Sequence, residues 1–176
     1  EQADTEISED EIARRINEEL VATWGNLVNR VLAMTHKNCD GVIPSPGPLT
    51  ADDQELLDAI DGMLERSAAH FDAVELRAAL RVGMDGAQAA NQYLNATEPW
   101  KLAKTDPERA RTVLFVALSA INGVRVALAP YLPFSSAALD EVLGEASGWA
   151  RPELEVGRPV AKPVPLFAKV ELDEAS

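Results

Sequence analysis

Apolar residues in this 176-residue chain recur mainly at intervals of three and four, the spacing that places side chains on one face of an α-helix. The first series follows Ser8-Glu-Asp-Glu11, a capping-box pattern in which a hydroxyl side chain precedes a carboxylate by three residues. Its members are Ile12, Ile16, Leu20, Trp24, Leu27, Val31 and Met34. They predict one long amphipathic helix to about Lys37, ended by Asn38-Cys-Asp-Gly41 and followed by a stiff connector at Pro44-Ser-Pro-Gly-Pro48.

Two more helices are predicted between this connector and Pro99. Thr50 and Asp53 give the N-terminal signature of the second helix, which extends to about Ala69. The third helix begins near Asp72 and ends at Pro99, where the helical pattern is broken or loosened. Its predicted buried positions are mostly small, so that a neighbouring helix can approach closely: Leu76, Leu80, Gly83, Ala87, Ala90 and Leu94.

The pattern of residues in the second half of the chain predicts a central helix and a short last helix. Asp106-Pro107 places a proline at the first helical position. Residues 113–128 are apolar nearly all round, as in a helix at the centre of a bundle. Pro130 and Pro133 interrupt this pattern, and residues 135–143 predict the last helix.

The end of the chain is too rich in proline to form a helix, as Arg158-Pro-Val-Ala-Lys-Pro-Val-Pro-Leu-Phe167 shows. It predicts an extended tail that packs across the helices through Leu166 and Phe167. The fold is therefore expected to be all-α, a bundle of about five helices with an extended C-terminal tail. A single domain over residues 1–176 is predicted, with residues 1–7 as a flexible lead-in and residues 150–176 as the tail.

Charge narrows the range of functions. The chain carries 16 lysines and arginines against 29 aspartates and glutamates, which gives a net charge of −13. This balance excludes nucleic-acid binders that rely on a broadly basic surface, but it leaves a module that reads a few unpaired bases. It also fits an acidic helical bundle that has no RNA partner.

The sequence also indicates a cellular compartment. Cys39 is the one cysteine, so no internal disulfide can form, and we expect a reducing, cytoplasmic environment. No run of eighteen apolar residues is present, so we expect no membrane span. The acidic start has no apolar core of a signal peptide. Because the sequence begins at Glu1, we expect a fragment or a processed product.

Two pairs of polar residues and a tryptophan form the candidate site. Asn26 and Arg30 lie four residues apart on the first helix, and Asn91 and Asn95 lie four apart on the third, so each pair shares one helix flank. Trp100 follows the end of the third helix. Amides can hydrogen-bond to a base edge, and an aromatic ring can stack on an unpaired base. If the two helices are neighbours, these side chains line one groove that reads single-stranded RNA.

A structural alternative accounts for the same residues. Asparagines beside a helix often satisfy backbone groups, and Trp100 could be a core aromatic after a kink. Tyr93 lies between the two asparagines, in the same stretch of amide and aromatic side chains at the end of the third helix. Five acidic residues of the second helix are interpreted as its solvated face: Asp52, Asp53, Glu55, Asp58 and Asp61. His36 and Cys39 are too few for a zinc site, so no metal, cofactor or catalytic residue is predicted in this chain.

Four segments resemble the anticodon-binding domain of methionyl-tRNA synthetases. Gly25-Asn-Leu-Val-Asn-Arg30 is similar to the motif of its first helix. Asn91-Gln-Tyr93, followed by Glu98-Pro-Trp-Lys101, is similar to its second motif. Leu128-Ala-Pro-Tyr-Leu-Pro133 resembles a turn also found in related class I synthetases, and Pro165-Leu-Phe-Ala-Lys169 resembles the closing segment. The segments follow the family's order and extend over nearly the whole chain.

The resemblance implies a role for each candidate residue. Asn26, Arg30 and Trp100 are implied to contact the bases of a CAU anticodon in methionine tRNA. Asn91 is implied as a supporting contact in the same groove. Asn95 is also predicted to be an anticodon-binding residue, at a position where many relatives have an aspartate. The implied partners are tRNA and the catalytic domain of the same enzyme.

The resemblance also implies what this chain does not do. The family's ATP-site signatures, of the His-Ile-Gly-His and Lys-Met-Ser-Lys-Ser types, are absent from these 176 residues. ATP-dependent ligation of methionine to tRNA would therefore belong to a catalytic domain outside this chain, which alone should be inactive. Two alternatives stay open: a freestanding paralogue that acts as a protein-interaction module, and the equivalent domain of another class I synthetase, such as a leucine or valine enzyme.

Overall fold

The computed structural model describes residues 8–170, apart from the side chains of residues 9, 10 and 15. Residues 1–7, the predicted lead-in, and residues 171–176, the end of the tail, lie outside the described residues. The helices are α1 (Glu9–Arg15), a π-helical segment (Ile16–Gly25), α2 (Asn26–Asn38), α3 (Ala51–Asp72), α4 (Leu76–Thr97), α5 (Pro99–Thr105), α6 (Pro107–Leu128) and α7 (Pro133–Leu143). In the described part of the chain, the β structure is an isolated antiparallel bridge between Val42 and Pro159.

The first three helical segments form the single long helix that the sequence predicts. The side chain of Ser8 caps its start by accepting a hydrogen bond from the N–H of Glu11. Trp24, Leu27 and Val31 are fully buried, whereas Ile12, near the N-terminal end of the long helix, is half exposed. The π-helical geometry of the middle segment is not predicted by the three- and four-residue spacing, and it leads directly into α2.

The boundary between the second and third helices differs from the prediction. α3 begins as expected, with a complete capping box between Thr50 and Asp53. However, it extends to Asp72, and α4 begins at Leu76 rather than near Asp72. The cause is a Schellman turn, in which Val74 adopts a left-handed conformation (φ 59°) and the N–H of Glu75 donates to the carbonyl of His70. The predicted small-residue stripe of α4 is buried from Gly83 onward.

α6 lies at the centre of the bundle, as its apolar composition predicts. It is long and apolar enough to cross a membrane, but 89% of its most apolar stretch is buried inside the protein, as expected of a core helix. Its small residues permit close contact with α3 and α4. At Gly123, an added Cβ would collide with Ile60 of α3. The side chain of Asp106 caps the start of α6 by accepting from the N–H of Arg109.

The C-terminal tail is extended and folds back over the helices. Val160 is buried, and Leu166 and Phe167 pack against the core, as predicted. The indole N–H of Trp149 donates to the carbonyl of Leu64, and the Arg151 guanidinium pairs with Asp61. The all-α fold with an extended tail is therefore confirmed: the described residues form the five predicted helices and, in addition, the short helix α5.

Candidate nucleic-acid interface

The first half of the candidate site lies at the start of α2. Asn26 is the first residue of this helix, and Arg30 follows one turn later on the same face. Both side chains are exposed, while the intervening Leu27 and Val28 are buried and hold the helix against the core. The amphipathic pattern of α2 thus presents one amide and one guanidinium to solvent.

The second half of the site is α5, which carries Trp100 as its second residue. Glu98 separates α4 from α5 and has a left-handed backbone (φ 45°, ψ 57°), so the chain turns sharply before Pro99 begins the new helix. Pro99 is buried and fixes this turn, whereas the indole of Trp100 is 38% exposed. Trp100 is therefore not a core aromatic, and the broken helix places its ring at the surface.

The two halves meet through a cation–π contact. The guanidinium carbon of Arg30 lies 5.6 Å from the centroid of the Trp100 ring, within the range of such interactions. No ion pair between Arg30 and a carboxylate is present among the described residues. The structure thus brings together Arg30 and Trp100, two of the five residues that the sequence predicts to line one groove.

The third helix contributes less directly than its spacing predicts. The side-chain amide of Asn91 donates to the carbonyls of Thr23 and Ala87, each at 3.1 Å. Asn91 therefore joins α4 to the π-helical segment, and its donors are not available to a base. Asn95 is exposed on the last turn of α4 and makes no hydrogen bond with the other candidates in the described part of the chain.

Tyr93 is buried and therefore cannot stack on a base. Its hydroxyl donates to the carboxylate of Asp53 at 2.5 Å. Arg109 donates to both oxygens of the same carboxylate, at 2.6 and 2.7 Å, and the N–H of Thr50 donates at 2.9 Å. The interpretation of Asp53 as part of a solvated face is wrong, because its side chain is fully buried and joins α3, α4 and α6.

This network fixes the segment that carries Trp100. Tyr93 lies just before α5 and Arg109 just after it, so the Asp53 carboxylate holds both flanks of the short helix. Burial of the carboxylate opposes its ionisation, but the hydrogen bonds from Arg109, Tyr93 and Thr50 outweigh this effect and lower the pKa of Asp53 to about 2. The pKa of Tyr93 is raised by burial and by the neighbouring carboxylate. The network is thus ionic at neutral pH.

The local charge of the site differs from that of the chain. α2 and α5 contain Arg30, Lys37, Lys101 and Lys104 and no acidic residue. Lys101 pairs with Glu98 at 2.7 Å, but it stays largely exposed. These two helices therefore provide cations next to an exposed aromatic ring, the combination that suits a splayed single strand.

Two features of the site are not visible in the residue pattern, and a third leaves only a weak signal there. The left-handed Glu98 and the Asp53 network require a knowledge of the tertiary contacts. The π-helical segment leaves one weak signal: Ile12, Ile16, Leu20 and Trp24 follow a strict four-residue repeat. Such a repeat drifts by about 40° at each step on an α-helix, so it indicates a wider helix.

Comparisons with known proteins identify the family of this chain. Residues 43–176 match the model of a family described as the anticodon binding domain of methionyl tRNA ligase. The chain is 43% identical to a methionine–tRNA ligase of Roseiflexus castenholzii over 94% of its own length and 33% of that protein. It is 45% identical to the ligase of Corynebacterium urealyticum, over 88% of its length and 26% of that protein.

A solved structure shows the same fold. The apo methionyl-tRNA synthetase of Mycobacterium tuberculosis superposes with a TM-score of 0.87 at 32% identity, covering 94% of this chain and 35% of that one. The chain thus spans between about a quarter and a third of the length of these relatives. These matches contradict the alternative that the chain is the equivalent domain of a leucine or valine enzyme. This chain belongs to the family of anticodon-binding domains of methionyl-tRNA ligases.

Proposed function

We propose that this chain recognises the CAU anticodon of methionine tRNA on behalf of a methionyl-tRNA synthetase. The observation that carries the proposal is the exposed ring of Trp100 beside the guanidinium of Arg30, with Asn26 on the same face. An exposed tryptophan ring beside a guanidinium offers a flat face for stacking and hydrogen-bond donors next to it. It is well suited to a base turned out of an RNA loop.

In this proposal each residue has a distinct part. Trp100 stacks on one anticodon base, which contributes roughly 1–3 kcal/mol. Asn26 offers both a donor and an acceptor to a base edge, and Arg30 offers a planar fork to a base or a phosphate. Asn91 supports the groove from beneath through its bond to Thr23, and Asn95 borders it. Specificity is the difference in affinity between the correct and an incorrect anticodon.

Catalysis belongs to the parent enzyme. The signatures of an ATP site are absent from these residues, so the ATP-dependent ligation of methionine to tRNA is assigned to a catalytic domain outside the chain. The proposed partners are accordingly methionine tRNA and that catalytic domain. The proposed compartment is the cytoplasm, and no metal or cofactor is assigned to the chain itself.

The proposal is tested by titrating two RNA hairpins against the chain at low salt, one with the CAU anticodon and one with a changed anticodon. We expect preferential binding of the CAU hairpin. Trp100→Ala should remove most of this preference and leave the helical content unchanged, because the ring is at the surface. Fluorescence anisotropy of labelled hairpins gives the affinities, and circular dichroism gives the helical content.

Trp149→Ala is the matched control, because its ring is 37% exposed but lies against α3, away from α2 and α5. It should leave the CAU preference intact. Equal binding of both hairpins by the unmodified chain would contradict the proposal. Together with binding to a protein partner, it would favour the alternative of a protein-interaction module.

A further inference from the structure

The π-helical segment is held by the C-terminal tail at both of its ends. At its start, the side-chain amide of Asn17 donates to the carbonyl of Val170, and its oxygen accepts from the N–H of Val170, both at 2.9 Å. At its end, the ring of Phe167 lies against Gly25. A tail segment of four residues therefore spans the whole π-helical segment.

The contact at Gly25 leaves no room for a side chain. A Cβ on this residue would lie 3.0 Å from Cδ2 of Phe167, closer than an ordinary van der Waals contact. The ring thus rests directly on the backbone of the residue that precedes Asn26. Any displacement of the ring changes the support under the first turn of α2.

A third contact holds the π-helical segment, and it comes from α4. The amide of Asn91 donates to the carbonyl of Thr23, so α4 holds the last turn of the π-helical segment while the tail holds both ends. A π-helix is rarely stable over ten residues without such tertiary support. The direction in which α2 leaves the segment, and hence the position of Arg30 relative to Trp100, depends on these contacts.

We propose that Phe167 is a positioning residue of the RNA site: its ring, packed on Gly25, fixes the exit of α2 and places Asn26 and Arg30 beside Trp100. The expected effect of Phe167 on RNA binding rests on the proposed function. The geometric part of the inference, the effect of the tail on the surroundings of Trp100, stands independently of any ligand. No base contact is assigned to Phe167 or to the rest of the segment Pro165-Leu-Phe-Ala-Lys169.

The geometric part is tested without RNA. The indole N–H resonance of Trp100, assigned by its loss in Trp100→Phe, reports the position of the Arg30 guanidinium over the ring. We expect Phe167→Ala to shift this resonance, because α2 loses its support. Leu166→Ala removes a neighbouring tail side chain that also packs on the core but not on Gly25, and Val164→Ala changes an exposed tail residue. Neither should shift it.

The RNA part uses the two hairpins described above. In Phe167→Ala the CAU preference should fall about tenfold, part of the contribution of one stacked base. Arg30→Ala should have a smaller effect in the Phe167→Ala background than in the unmodified chain, since both act on one contact. If Phe167→Ala does not fold, Phe167→Leu takes its place, with a smaller change in the same direction.

The outcomes separate the two proposals. An unshifted Trp100 resonance in folded Phe167→Ala, or an equal shift in Leu166→Ala, overturns the positioning role. So does an unchanged CAU preference in Phe167→Ala when the unmodified chain has that preference. If the unmodified chain shows no CAU preference, the proposed function fails, and the Trp100 resonance alone decides the positioning role.

Discussion

Asp53 illustrates how one residue can combine two structural functions. Its position three residues after Thr50 predicts a cap, and the structure confirms the capping box. The sequence does not reveal that the same carboxylate accepts hydrogen bonds from Tyr93 and Arg109, which lie 40 and 56 residues away. A local spacing rule identifies the cap, but a buried ionic network depends on which helices become neighbours.

The ionisation of Asp53 predicts a specific dependence of stability on pH. Its pKa is about 2 in the folded chain against an ordinary value of 3.8. The stabilisation is complete above about pH 5 and is lost as the pH falls towards 2, because the unfolded chain takes up the proton at a higher pH than the folded chain does. The loss is about 2 kcal/mol. Denaturant unfolding of the unmodified chain and of Asp53→Asn, from pH 7 to pH 2, measures it.

Asp53→Asn should cost about 3 kcal/mol at pH 7, since it leaves the Arg109 guanidinium without its charged partner. This difference should shrink by the same 2 kcal/mol towards pH 2. Asp58→Asn is the control, because Asp58 is an exposed residue of the same helix. A difference between Asp53→Asn and the unmodified chain that does not vary with pH would show that the network is not ionic.

The candidate residues themselves were predictable to different degrees. Asn26, Arg30 and Trp100 are exposed where helix periodicity and the Pro99 break place them. Asn91 and Tyr93 belong to the same motif, but their side chains are directed into helix contacts. Spacing identifies the flank of a helix, whereas the neighbouring helix decides whether that flank is covered. Whether the five predicted site residues contact RNA stays a prediction.

At the scale of the helices, the starts are more predictable than the ends. Thr50 and Asp106 cap α3 and α6 through local side-chain hydrogen bonds, as their sequence predicts. The end of α3 was misplaced by three residues, because its Schellman turn has a valine where glycine is usual. A β-branched residue gives no signal for a left-handed turn, so the predicted boundary between the two helices falls before the true one.

The same valine predicts a stabilising substitution. Val74 is 77% exposed and has a φ of 59°, a conformation that costs a β-branched residue roughly 1–2 kcal/mol. Val74→Gly should raise the free energy of unfolding by about 1 kcal/mol after the entropy of glycine in the unfolded chain is included. Chemical denaturation measures this change.

Val164→Gly provides the comparison for this substitution. Val164 is equally exposed but does not have a positive φ, so its replacement should give no gain. Equal effects of the two substitutions would mean that the turn after α3 is not strained.

For the whole molecule, the proposed RNA binding depends on the net charge of −13 and on the local cations of α2 and α5, which have opposite effects on a phosphate backbone. Arg30, Lys101 and Lys104 can neutralise about three phosphates, and each contributes about −0.7 to the slope of log affinity against log salt for a single strand. We therefore expect a slope of about −2 for the CAU hairpin, measured between 50 and 200 mM salt as a rough working range.

Lys104→Gln should make this slope shallower by about 0.7 and weaken both hairpins alike, because a phosphate contact carries no sequence information. A slope much steeper than −2 would require basic residues beyond these two helices, and it would contradict the assignment of the site to α2 and α5.

The bonds between Asn17 and Val170 also have a consequence for biosynthesis. They join residues 153 positions apart, and the second partner lies near the end of the sequence. At roughly 5–20 residues per second, a ribosome needs about 8–30 s to add the intervening chain. Throughout that interval the first helix is synthesised but lacks the tail that holds its π-helical segment. The π-helical segment therefore gains its tail contacts only after all the helices from α2 to α7 have been synthesised, and the proposed RNA-binding surface is completed after them.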